Sequence, residues 1–135
     1  MEEYIEIGKL DCKILERLNI NIITDEVIFT YERIGHVQNR RKHLYEEVKD
    51  FLPIAIYDPD YIYKDWNNRH DTLVFIKNID KKQKLDIVIK IALINDEKHP
   101  KNSIITMMKI GKKTFKKIFR NKSENLLFKK LDKNE

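Results

Sequence analysis

Beyond Tyr61 the apolar residues of this chain alternate with polar ones, and this change of period decides which class of fold is open to it. The runs YIYKDW (61–66), DTLVFIKNI (71–79), KLDIVIKIALI (84–94) and NSIITMMKI (102–110) all read as strands with one buried face. The polar segment NIDKKQK joins the second run to the third as a hairpin, and NDEKHPK joins the third to the fourth. A short basic helix, KKTFKKIFRN, and a final strand, NLLFKK (125–130), complete the chain.

Upstream the period is helical. From about Glu32 to Leu52 a stripe of Ile34, Val37, Leu44, Val48 and Phe51, interrupted by Arg41, predicts one long helix. Thr30 is its expected N-cap, and Arg33 stands where a Glu would complete a capping box. Before it, YIEIGKL reads as a short strand, Asp11 caps a helix through CKILERL, and an extended run leads to Thr30. After the long helix, Pro53 and the DPD of Asp58–Asp60 punctuate the chain, with IAIY as an apolar bridge between them. Helices followed by a sheet predict an α+β domain: N-terminal helices packed on a roughly four-stranded antiparallel sheet, with one late basic helix.

The 135 residues suit a single domain spanning 1–135, and with 41% apolar residues the chain can bury a continuous core. Three Gly and three Pro leave little for flexible linkers. The lone Cys12 has no intramolecular disulfide partner, which fits a reducing, cytoplasmic setting, and its amphipathic surroundings favour a buried structural thiol over a nucleophile. No apolar run reaches the roughly 18 residues of a membrane span, so no membrane partner is expected. The acidic start MEEYIEIGKL lacks the apolar core of a signal peptide.

Charge is divided unevenly along the chain. From Lys98 onward there are 12 Lys and Arg against three acids, whereas residues 1–97 carry 15 bases and 19 acids. A basic C-terminal third points to an anionic partner, nucleic acid foremost; a solvated lysine-rich face explains it equally well.

Three groups of residues carry potential chemistry. On the long helix His36, Arg40 and His43 fall within about 60° of one another, with Arg33 one turn before His36. Cations beside an imidazole favour its neutral form, which suits a general base, and arginines hold a phosphate bidentately. A charged, solvated helix flank is the plainer reading. In the strand NSIITMMKI, Ser103 and Thr106 face opposite ways under strict alternation, and share a face only where a bulge or the strand start intervenes. Lys90 stands in mid-strand on the face opposite Leu85, Ile87, Ile89 and Ile91, where an ammonium is costly without solvent or an anion. Lys129 is placed similarly near the end of the chain.

Other chemistries fit poorly. His36, His43, His70 and His99 have no zinc-site spacing, the Cys has no partner, and no glycine-rich phosphate loop exists, so neither a metal nor a cofactor is expected. Tyr57, Tyr61, Tyr63 and Trp66 cluster near the first run, and most are expected in the core rather than against bases.

Taken in order, VIFTYERIGHVQNRR, LPIAIYDPDYIYKD, TLVFIKNI, DIVIKIAL, NSIITMMKIGKKTFKK and LLFKK resemble the phage-type nucleases of the barnase–EndoU–colicin–RelE superfamily, over about residues 24–130. The most specific pieces are the E-R-x-x-H helix start, the P-D-x-I turn, and N-S-I-I-T followed by a basic segment and L-L-F-K. The resemblance implies a metal-independent endoribonuclease in which the RNA 2′-hydroxyl attacks the adjacent phosphate. It implies that His36 is base or acid, Arg40 a phosphate clamp and Lys90 a stabiliser of the transition state. Ser103 and Thr106 would position the phosphate; Arg33, His43, Lys112 and Lys129 would bind substrate. Relatives often carry a second histidine directly after the arginine of H-x-x-x-R, where this chain has Arg41. RNA, tRNA included, is the implied substrate, and an inhibitor or immunity protein the implied partner, in a phage or toxin effector. A non-catalytic nucleic-acid-binding module, or a phage protein-interaction module, is the alternative.

Overall fold

A computed structural model of the chain describes residues 3–65, 71–94 and 101–131. Seven strands form one mixed sheet: β1 (Tyr4–Lys9), β2 (Glu26–Thr30), β3 (Tyr61–Lys64), β4 (Thr72–Asn78), β5 (Gln83–Lys90), β6 (Asn102–Gly111) and β7 (Leu126–Lys129). Their order is β1-β2-β6-β5-β4-β3-β7. Among the described residues five α-helices accompany it: α1 (Cys12–Arg17), α2 (Tyr31–Arg40), α3 (Leu44–Val48), α4 (Leu52–Tyr57) and α5 (Lys112–Asn121).

The domain is α+β, but the expected four-stranded antiparallel sheet under N-terminal helices is not what forms. β1 and β2 pair antiparallel at one side, β7 joins β3 at the other, and β2 runs parallel to β6. The first strand, the extended run after it and the final strand thus pair into the same sheet and satisfy their backbone groups within it, leaving the helices as a minor element.

The single long helix also gives way. Arg41 leaves the helical region (φ −138°, ψ 82°), α2 and α3 replace the expected helix, and α4 begins where it was expected to end. The apolar stripe survives the breaks: Ile34, Val37, Leu44 and Val48 are buried and Phe51 half-buried in the main core. Pro53 starts α4 instead of ending a helix, in the first turn where its missing N–H costs nothing. The bridge IAIY is therefore helical, and it buries Ala55 and Ile56.

Local signals account for several boundaries. The Asp11 side chain accepts from the Lys13 N–H, and Thr30 Oγ1 accepts from the Arg33 N–H at 3.2 Å, each cap contributing about 1 kcal/mol. Asn19, at φ 60°, ends α1 with the Asn19 and Ile20 N–H groups bonded back to Glu16 and Leu15. On β5, Leu85, Ile87 and Ile89 enter the main core with Phe29, Leu73, Phe75, Ile104 and Met107, each burial contributing ~1.5–3 kcal/mol. On the other face a smaller core of Tyr63, Val74, Ile76 and Ile110 receives Phe115 and Ile118 of α5.

Two connections fix the place of α2 beside β6. β2 pairs with β6 only through Val27–Asn102 and Ile28–Ser103, after which the chain turns into α2, packed against the remainder of β6. Asn102, fully buried, makes that junction. Its Oδ1 accepts from the Ala92 N–H at 2.7 Å, and its Nδ2 donates to the Thr24 and Glu26 carbonyls at 2.6 and 2.9 Å.

Candidate active site

Against β5, β6 breaks its register between Val88 and Ile89: Val88 faces Thr106, while Ile89 faces Ile104. Ile105 is therefore an extra residue, a β-bulge. The bulge resolves the phase of the strand, because Ile104 and Met107 both point into the main core. Ser103 pairs with Lys90 and Thr106 with Val88, so Ser103, Thr106 and Lys90 share the opposite face.

Alongside this stretch lies α2. With Ile34 and Val37 committed to the core, the flank bearing Arg33, His36 and Arg40 turns outward. Arg33, His36, Asn39, Arg40, Ile105 and Thr106 line an open cleft of about 470 Å³. His36 and Arg40 are exposed, Arg33 and Thr106 half-buried. Among the described residues no carboxylate lines the cleft and neither arginine makes an ion pair. The result is a cationic recess with one imidazole and one hydroxyl, shaped for an anion.

The remaining predicted residues are dispersed. Ser103 and Lys90 sit on the same sheet face as Thr106, one step further along, outside the cleft lining. Lys90 is the last residue of β5, half-buried, with its ammonium 3.8 Å from the Asp71 carboxylate. His43 lies beyond the break in α2, in a separate recess of about 380 Å³ with Arg41, Leu44, Glu47 and Lys109, where Lys109 and Glu47 form an ion pair. Lys112 opens α5, and Lys129 ends β7 on the far side of the sheet. His70, His99 and Trp66 fall outside the described residues. Among the described residues no three His, Cys, Asp or Glu side chains gather closely enough to hold a metal ion. Cys12 is half-buried beside Asp25; desolvation, with Asp25 adding to it, raises its thiol and disfavours the thiolate.

Two features escaped the sequence reading, and one, the bulge, was raised there without a position. Asn39 lines the cleft without having been singled out, although it lies one turn after His36. The Ile105 bulge had only the doubled apolar pairs Ile104–Ile105 and Met107–Met108 to announce it. The third is a buried charge: Asp86, 5% exposed in mid-strand, has its carboxyl pushed up to about 7 by burial, with Arg41 pulling it the other way. Burial wins because one guanidinium does not replace the lost hydration; Arg41 Nη1, itself buried, has no hydrogen-bond partner among the described residues.

Asp86 has a consequence for stability. The folded chain keeps the Asp86 proton at pH values where the unfolded chain, with the ordinary value of 3.8, has lost it. The stabilisation from this group is therefore complete below about pH 4 and lost as the pH rises through about 7. Urea unfolding is expected to show stability falling across that window in the wild type, with a flatter profile in Asp86→Asn.

The chain was compared with family models, curated proteins and solved structures, and nothing matches it. Among the described residues no helix is long and apolar enough to cross a membrane.

Proposed function

We propose that the cleft between α2 and β6 binds an RNA phosphate and that the protein is a metal-independent endoribonuclease. The observation that carries this reading is the bulge at Ile105, which puts Thr106 with Arg33, His36 and Arg40 in one recess that no described carboxylate lines. The residues are among those implied by the resemblance to the barnase–EndoU–colicin–RelE superfamily, set on a different sheet.

In this mechanism His36 takes the proton from the RNA 2′-hydroxyl as that oxygen attacks the adjacent phosphorus. The bond from phosphorus to the 5′-oxygen breaks, leaving a 2′,3′-cyclic phosphate on one fragment and a 5′-hydroxyl on the other. Arg33 and Arg40 hold the non-bridging oxygens and stabilise their added charge, while the Thr106 hydroxyl donates to one of them. Departure of the 5′-oxygen needs a proton, supplied by water or by the imidazolium just formed.

Incubating the protein with RNA in EDTA tests the proposal. Fragments ending in 2′,3′-cyclic phosphate are expected, and a strand with a single 2′-deoxyribose at the cut position resists. One observation favours a second reading: His43 is in the other recess, so the cleft lining holds one acid–base group. A non-cleaving nucleic-acid-binding module needs no more. Intact RNA, bound with an affinity that falls steeply with salt, selects that reading.

A further inference from the structure

Across the sheet from the cleft, α5 carries a charge that the rest of the chain does not balance. Its ten residues include Lys112, Lys113, Lys116, Lys117 and Arg120 and no acid. Phe115 and Ile118 anchor it half-buried on the smaller core, and Phe119 remains 40% exposed. Three rings gather there: the Phe115 centroid lies 4.9 Å from Tyr61 and 5.9 Å from Phe119, and Phe119 meets Tyr61 edge-on at 6.2 Å.

Two lysines lie against these rings. Lys84 lies 4.6 Å from the Phe115 centroid and Lys129 5.6 Å from the Phe119 centroid. Lys84 donates to the Asn78 side chain and is influenced by Asp60, while Lys112 and Lys129 make no ion pair among the described residues. Desolvation lowers the Lys84 ammonium, with the like charge of Lys112 adding to it. Cations held against aromatic rings match a ligand that brings both phosphates and flat rings.

We propose that this patch is a second contact for the same RNA, a platform on which an unpaired base stacks against Phe119 while its phosphates lie on Lys112 and Lys129. The proposal rests on RNA being the ligand of the cleft, and it adds a requirement for single-stranded substrate. A paired base keeps its faces inside the helix and offers the patch only phosphates. From β6 to β3 is three inter-strand steps, roughly 14 Å, so a strand of several nucleotides bridges cleft and platform across one face of the sheet.

The test uses a labelled oligouridylate of about ten nucleotides, a length over which stacking and charge contacts both register. It is titrated into full-length protein carrying His36→Ala, with and without Phe119→Leu. Leucine preserves apolar contact with α5 and Tyr61 but removes the stacking face. Affinity is expected to fall roughly tenfold. Removing both lysines, as Lys112→Ala/Lys129→Ala, is expected to reduce the salt slope of binding by about 1.4. Unchanged affinity in Phe119→Leu overturns the proposal, as does equal competition by a blunt RNA duplex or a preference for anionic lipid vesicles. If the wild type leaves RNA uncut while Phe119→Leu still weakens binding tenfold, the cleavage reading falls and the platform is supported.

Discussion

Replacing His36 with alanine is expected to slow RNA cleavage by roughly 10²–10⁴-fold, the usual contribution of a positioned proton acceptor. The effect should fall on kcat. His36 is exposed on α2 and contributes nothing to the core, and alanine is the stronger helix former, so the fold and the arginine pair survive. Affinity for uncleaved RNA should therefore change little. Arg40→Ala should weaken binding and turnover together, because the clamp acts on ground and transition states alike. Measuring kcat and KM for both variants on one RNA substrate checks the assignment. A loss confined to KM in His36→Ala would remove His36 from the chemistry.

The second large effect is expected at Asn102, away from the cleft. Asn102→Ala removes three hydrogen bonds and leaves the Ala92 N–H and the Thr24 and Glu26 carbonyls without their side-chain partner. A buried group stripped of its partner costs ~1–3 kcal/mol, so a loss of roughly 2–5 kcal/mol is expected. That is a large share of the stability of a domain this size. Because Asn102 ties β6 to the start of β2, the strand that leads into α2, the variant should also loosen the cleft. Urea unfolding of Asn102→Ala measures the first effect, and RNA binding at a temperature where the variant remains folded measures the second.

What the sequence shows of this fold is what is local. Alternation marks β4, β5 and β6, and capping residues mark the starts of α1 and α2. Sheet membership is not local: β2 meets β6 across some 75 intervening positions, and no pattern in EVIFT says which strand it will join or in which direction. Arg41 shows the limit differently. A charge in an apolar stripe reads as an interruption of one helix, whereas the backbone breaks there and α3 restarts the stripe on the same core. At the cleft, Arg33, His36 and Arg40 were legible from helical spacing alone. Thr106 was not, because the apolar doublets of β6 allow two phases, and only its pairing with β5 selects the bulged one.

Bulged β6 and α2 together make the proposed phosphate site. An NMR titration of the backbone amides and the histidine ring protons with a uridine 3′-monophosphate tests it most directly. The shifts are expected to concentrate on Arg33, His36, Arg40, Ile105 and Thr106, and to weaken in Arg40→Ala. Shifts confined to α5, or to the recess around Arg41 and His43, would contradict it.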